Sequence, residues 1–222
     1  MSADARYVPA AGLRGLTRFY DPIVALTMRE RLFRGRLLEQ VLAGLSSEAL
    51  IADVGAGTGT LSIALATAMP AATMIGIDGD PEVLAIARAK GGADLVQWRP
   101  GLAAELPLDD GSCDRVVISL VLHHLDADGK RAALADCHRV LRPGGRLHIA
   151  DWGKPRDPLM RGALFGLALV DGFDGIRDHA AGRLPLFVEA AGFAVPECHD
   201  RLRTVAGPLE LLSAVRQPRL DR

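Results

Sequence analysis

The sequence predicts an α/β protein, a mostly parallel sheet with helices covering both faces. Three observations carry that expectation. Short apolar runs alternate with stretches of helical periodicity between about residues 30 and 152, the pattern of strands joined by crossover helices. Two of those runs, Leu50 to Val54 and Met74 to Asp78, carry an acid at their carboxyl ends and meet glycine at once. The chain, at 222 residues, is long enough to bury one such domain with appendages.

Taken in order, residues 1–45 are expected to form an N-terminal arm and a packing helix. Pro9, Gly12 and Gly15 loosen the arm, and Phe19-Tyr20-Asp21-Pro22 is turn-like. From about Arg29 to Gly44, Phe33, Leu37, Leu38, Val41 and Leu42 recur at helical spacing. Residues 46–222 are expected to form the main domain. Strand Leu50 to Val54 leads to a helix from Thr60 that stops before Pro70. Strand Thr73 to Asp78 leads to a helix opened by Asp80-Pro81, a capping acid followed by a first-turn proline. Strand Leu95 to Trp98 runs into a long loop ending near Gly111. Strand Arg115 to Val121 is followed by a helix from about Gly129 to Leu141, then a Pro143-Gly144-Gly145 turn, then strand Arg146 to Asp151. After that the pattern loosens. Pro155 and Pro158 interrupt it, Leu159 to Val170 reads as a short apolar helix, and Leu184 to Ala191 reads as another. Phe193 to Val195, Cys198 to Val205 and Leu209 to Val215 are strand-like.

The chemistry concentrates in Asp53-Val54-Gly55-Ala56-Gly57-Thr58-Gly59. Alternate glycines allow a sharp turn and remove the Cβ atoms that would stand between backbone and ligand. Free N–H groups at the start of the next helix face the same ligand. Asp78 follows about twenty residues later at the end of the second strand, where a carboxylate can accept from both ribose hydroxyls of an adenosine. A dinucleotide and S-adenosylmethionine both fit that much. The spacing separates them. Dinucleotide enzymes use G-x-G-x-x-G with the pyrophosphate on the helix N-terminus. Here the glycines strictly alternate and an acid stands two residues before the first, which suits an ammonium better than a phosphate.

On these residues the chain resembles the class I S-adenosylmethionine-dependent methyltransferases, in particular the ubiquinone/menaquinone-biosynthesis branch. The matching segments are Phe19 to Asp21, Asp53 to Gly59, Gly76 to Asp78, Gly101 to Pro107, Cys113 to Leu125 and Arg139 to Gly145, in the family's order. The resemblance implies a Rossmann-like, seven-stranded, mostly parallel sheet whose last two strands are antiparallel, with a helical lid at about 153–182. It implies S-adenosyl-L-methionine as cofactor, with S-adenosyl-L-homocysteine as product. The cofactor-binding residues it implies are Tyr20, Asp53, Gly55, Ala56, Gly57, Thr58, Gly59, Asp78, Gly79, Leu102, Ala103 and Ser119. Leu102 departs from the family, which has aspartate there to accept from the adenine amino group; losing one hydrogen bond costs on the order of 1 kcal/mol. Asp53 has a second reading as a strand-end cap, and Asp114 is read as turn chemistry.

Methyl transfer from a sulfonium needs two molecules held in line and water excluded, with no metal and no nucleophilic triad. A base helps when the acceptor must lose a proton. His123 and His124 stand at the carboxyl end of the fourth strand, where open α/β sheets bind ligands, and are the candidate catalytic residues. Asp151, Trp152, Arg161, Phe165, Phe173 and His179 are candidates to line an acceptor pocket. The expected function is methyl transfer to a small apolar or aromatic acceptor. A non-catalytic S-adenosylmethionine-binding scaffold and a quinone-precursor or phospholipid methyltransferase are the alternatives.

Composition narrows the partners. Hydrophobic residues at 49% and charged residues at 24% are ordinary for a soluble domain, and a net charge of −1 gives no nucleic-acid footprint. Cys113, Cys137 and Cys198 are widely spaced and odd in number, against a disulfide framework or zinc site and in keeping with a reducing cytoplasm. No stable membrane association is expected, since the apolar run from Ala163 to Val170 is too short to span.

Overall fold

A computed structural model of the chain describes residues 30–217. Tyr20 and the rest of the N-terminal arm lie outside the described residues. Seven strands, β1 (Leu50–Val54), β2 (Thr73–Asp78), β3 (Val96–Pro100), β4 (Cys113–Ser119), β5 (Leu141–Trp152), β6 (Glu197–Thr204) and β7 (Gly207–Val215), form one sheet in the order β3-β2-β1-β4-β5-β7-β6. β1 to β5 are parallel, and β7 runs antiparallel to both β5 and β6. Strand order reverses between β1 and β4, which makes the carboxyl ends of those strands the topological switch point where a ligand crevice opens.

Parallel strands buried on both faces need apolar residues at consecutive positions, and β1 and β2 supply them. Alternate residues feed two cores. Ala52, Val54, Ile75, Ile77, Val116 and Ile118 face α4 (Ala127–Val140) and α7 (Leu184–Ala190). Ile51, Met74, Val117, Ala150 and Trp152 face the other way, toward Phe33, Leu37 and Val41 of α1 (Glu30–Leu42) and Leu61 and Leu65 of α2 (Thr60–Ala68). α3 (Pro81–Arg88) starts as expected: Asp80 Oδ1 accepts from Glu82 N at 2.8 Å and from Val83 N at 3.4 Å, beside a first-turn proline.

Several boundaries differ from the sequence expectation. β5 begins at Leu141, so Pro143-Gly144-Gly145 is a bulge within the strand: Cys113 pairs with Leu141, but Arg115 pairs with Arg146. Local turn chemistry is there absorbed by strand pairing on both sides. α4 starts at Ala127, because Asp126 caps it by accepting from Gly129 N at 2.7 Å. The stretch 193–195 forms only a bridge from Phe193 to Arg216. The lid is two helices, α5 (Pro158–Asp171) and α6 (Phe173–Ala180), divided at Gly172 with φ 93°. No described helix is long and apolar enough to cross a membrane.

Candidate active site

The glycine loop runs from the end of β1 to α2. Gly55 N and Ala56 N donate to Ile77 O at 2.8 and 2.9 Å, which ties the loop to the end of β2. Its glycines serve different purposes. At Gly59 (φ 80°) a Cβ would stand 2.4 Å from Trp98, so that residue is fixed by packing as well as by backbone angle. At Gly57 (φ 57°) a Cβ would meet nothing within 4 Å, so the backbone there borders open space. That is the geometry of a loop facing a ligand.

Asp78 holds the same loop from below. Its Oδ2 accepts from Gly57 N at 2.8 Å and its Oδ1 from Asp80 N at 2.9 Å. A carboxylate oxygen has two lone pairs, so each retains capacity for a ribose hydroxyl. Burial pushes this carboxyl up from its ordinary value, against the hydrogen bonds from Asp80, Gly57 and Gly79. Gly101 N donates to Asp78 O at 3.1 Å, which brings half-buried Leu102 and Ala103 beside the same strand end. Leu102 bridges to Glu105. Buried Thr58 accepts from Lys90 Nζ at 2.9 Å. Ser119 is the half-buried last residue of β4, cross-strand from Ala150.

Asp53 lies beneath the loop at 1% exposure and accepts from Ser62 Oγ at 2.6 Å. It thus anchors the first turn of α2, the strand-end reading of this residue. Burial pushes its carboxyl up to about 6, opposed by the Ser62 hydrogen bond and the Arg34 charge.

The second cluster stands at the ends of β4 and β5. Leu120 takes φ 57°, a left-handed conformation that a branched residue seldom adopts. It turns the chain into a short 3-10 turn over Leu122–His124. Val121 then packs against the glycine loop, and a Cβ on Gly55 would stand 2.2 Å from its Cγ2. Asp151 receives the turn: its Oδ2 accepts from Leu122 N at 2.9 Å, its Oδ1 from Trp152 N at 2.8 Å, and His123 Nδ1 lies 2.8 Å from Oδ1. Burial raises the Asp151 carboxyl, but the His123 and His179 rings and these hydrogen bonds outweigh it and hold it well below the usual carboxylate range. His123 is therefore oriented with Nδ1–H toward a carboxylate, which leaves Nε2 with the lone pair in the neutral ring.

His124 differs. Its ring centroid is 4.0 Å from that of His123, and burial, with His123 adding to it, pushes its pKa down to about 3. His179 Nε2 lies 3.6 Å from Asp151 Oδ1 while its Nδ1 meets Gly175 O at 3.1 Å. Burial lowers this imidazole to about 4. Lys130, fully buried, pins the lid to the site: its Nζ donates to Leu125 O and Gly175 O at 2.7 Å and to Asp178 Oδ2 at 3.2 Å. Gly175 has to be glycine here, since a Cβ would stand 1.8 Å from His123 O.

Of the residues expected to line an acceptor pocket, Asp151, Trp152 and His179 are buried together around His123. Phe165 and Phe173 are 58% and 51% exposed on the lid, with their rings 5.6 Å apart. Arg161 is exposed. Sequence reasoning passed over Lys130 and the pairing of His123 with Asp151. A lysine on the apolar face of α4, between Asp126 and Leu134, was the available signal for the first. The second joins residues 28 apart and had none. Among the described residues no group of His, Cys, Asp and Glu could hold a metal ion.

A doubly wound sheet with an alternating-glycine loop and an acid at the end of the second strand, beside its switch point, has the architecture of the Rossmann-like proteins. Comparison with known proteins narrows this. A methyltransferase-domain family matches residues 51–145. The demethylmenaquinone methyltransferase of Thermus thermophilus is 34% identical over 169 residues, covering 71% of this chain and 73% of that one. The demethylmenaquinone methyltransferase of Clavibacter sepedonicus is 38% identical over 112 residues, half of this chain; the match spans 44% of that relative. The match to the Rubrivivax gelatinosus ubiquinone/menaquinone biosynthesis C-methyltransferase, 36% identical, spans 40% of its length. Among solved structures, an S-adenosylmethionine-dependent methyltransferase from Thermotoga maritima superposes with TM-score 0.69 at 21% identity, covering 91% of this chain and 98% of that one. The chain belongs to the class I S-adenosylmethionine-dependent methyltransferases, whose cofactor is S-adenosylmethionine, and resembles their ubiquinone/menaquinone-biosynthesis branch.

Proposed function

We propose that the chain transfers a methyl group to a small apolar or aromatic acceptor that gives up a proton, with His123 as the base. The observation that carries this reading is the 2.8 Å contact of His123 Nδ1 with the buried Asp151 carboxylate, one turn from the glycine loop. S-Adenosylmethionine, when bound, supplies a methyl group activated on a sulfonium. The glycine loop would take the cofactor along the open side of Gly57, and Asp78 would accept from its ribose hydroxyls. Asp151 fixes the His123 tautomer and stabilises the imidazolium formed as Nε2 takes the acceptor's proton. His124, held neutral and weakly basic, would pack against His123. His123 and Asp151 are both buried, and a low-dielectric setting strengthens the Asp151–imidazolium attraction.

A quinone precursor is the finer reading of the acceptor. It is supported by relatives named as demethylmenaquinone and ubiquinone/menaquinone methyltransferases.

The test is transfer of label from methyl-labelled S-adenosylmethionine to a panel of phenols and reduced quinone precursors, across pH, in wild type, His123→Ala and His123→Gln. The reading expects label transfer in wild type and loss of turnover, without loss of cofactor affinity, in both variants. Equal turnover in all three would remove His123 from the chemistry. Cofactor binding with no label transfer to any acceptor, including those in a cell extract, would favour a non-catalytic scaffold.

A further inference from the structure

A second polar cluster lies at the opposite end of the strands, between the sheet and the carboxyl end of α1. Arg115, Arg146 and His148 on β4 and β5 and Ser213 on β7 share one face of the sheet: Arg115 is paired with Arg146, and His148 with Ser213. His199 Nε2 and Arg146 Nη1 converge on Ser213 Oγ at 2.7 and 3.2 Å. Arg115 Nη2 donates to Ala43 O at 3.4 Å, which puts the last turn of α1, with Gln40, over the same face.

Four buried polar atoms in this cluster make no hydrogen bond: Gln40 Oε1, Arg115 Nε and both ring nitrogens of His148. Buried polar groups are nearly always paired, so four orphans on this face and the α1 segment over it ask for a polar occupant. The electrostatics select its sign. Arg115, Arg146 and His199 all act on His148, and Arg115 and Arg146 act on each other. Among the nearby acids, Asp114 offsets part of the Arg115 charge, but its carboxylate oxygens have partners of their own. Asp114 accepts from Arg142 Nε at 2.5 Å and from Leu50 N at 2.8 Å. Glu197 is mostly exposed and approaches His199 only to 3.9 Å.

We infer that this cluster is a binding site for a small oxyanion, separate from the methyl-transfer site, which ties the carboxyl end of α1 to the sheet. An oxyanion carries lone pairs for Arg115 Nε–H and a ring N–H of His148, offsets the two guanidinium charges, and in its protonated form donates to Gln40 Oε1. Phosphate and carboxylate share this chemistry.

The probe is inorganic phosphate, with acetate as the carboxylate arm and chloride at equal ionic strength as reference. Thermal unfolding of the full chain is read in wild type, in Arg146→Gln, whose half-exposed side chain makes the fold tolerant, and in His148→Gln. A ligand held ten- to a hundredfold above its dissociation constant should raise the wild-type midpoint by roughly 3–6 °C over chloride, and each variant should lose most of that rise. Calorimetric titration with phosphate should follow the same order, and whichever of phosphate and acetate binds more tightly identifies the source. Wild-type stabilisation no larger than in chloride overturns the site. So does an equal rise in all three proteins, which places the anion elsewhere. A crystal grown in phosphate with only water on Arg115 Nε and His148 also overturns it, since water then satisfies the orphans.

Discussion

Asp53 and Asp151 are each 1% exposed and each stand near the carboxyl end of a parallel strand, yet their carboxyls move in opposite directions. Asp53 accepts a hydroxyl from Ser62 and is pushed up to about 6 by burial. Burial acts on Asp151 too, but two imidazoles and two backbone N–H groups surround it and hold it well below the ordinary range. In the proposed function the first belongs to the cofactor half of the sheet edge, built from backbone and open at Gly57. The second would belong to the acceptor half, built from side chains and covered by the lid helices. Burial alone does not set the charge of a carboxyl; what the fold brings against it does.

If the halves divide the work in this way, they can be broken separately. The largest effect is expected at His123. His123→Ala should lower turnover by roughly 10²–10⁴-fold, the usual size of general-base catalysis, with the calorimetric affinity for S-adenosylmethionine unchanged. A parallel loss of cofactor affinity would mean that the two halves are one unit.

Lys130→Met removes three hydrogen bonds and leaves Asp178, among the described residues, with Arg183 as its remaining cationic partner. Urea unfolding should show a loss of about 2–3 kcal/mol, because the Leu125 and Gly175 carbonyls lose their buried donor while Arg183 still compensates Asp178. The variant at low temperature should still bind cofactor, because its damage falls on the acceptor half.

Asp78→Ala should weaken S-adenosylmethionine binding at least tenfold, given about 1.5–3 kcal/mol for each hydrogen bond to a charged group. Combined with His123→Ala its effect on kcat/KM should be additive within about 0.5 kcal/mol, as for independent sites. Strong non-additivity would sink the comparison.

The effect at Asp53 is on stability, and its sign is set by pH. A carboxyl raised from 3.8 to about 6 contributes stability that is full below pH 4 and is lost as pH rises through 6. Asp53→Asn should therefore raise the stability of the cofactor-free protein at pH 8 by up to about 3 kcal/mol, read as a higher thermal midpoint, and leave it unchanged at pH 4. The buried histidines run the other way. His124, His148 and His179 are lowered to about 3, 3 and 4, so the stability they contribute is present above pH 6.5 and lost as pH falls toward those values. Stability of the wild type should accordingly drop steeply in that acid window.

The cofactor half was largely legible in the sequence. Asp53 to Gly59 and Asp78 are local motifs whose spacing follows from one strand, one turn and one helix, so residue order nearly fixes their geometry. The same holds for the capped start of α3. The acceptor half was legible only as a list of parts. His123, Asp151 and His179 could be named as residues near strand ends, but their joining into one cluster depends on β5 lying beside β4 and on α6 folding back over both.

What the sequence determined by itself is thus the βα rhythm, the glycine loop and the class of cofactor, because each rests on contacts within about thirty residues. Tertiary structure alone decided that His123 rather than His124 meets the carboxylate, that Lys130 is a lid anchor, and that Phe165 and Phe173 are exposed. It also decided that Pro143-Gly144-Gly145 lies within a strand, and it gathered Arg115, Arg146 and His148 under α1. The physical reason is common to all of them. Charge, hydrogen-bond satisfaction and burial are properties of what surrounds a group in space, and here the surroundings come from strands and helices far apart in the chain.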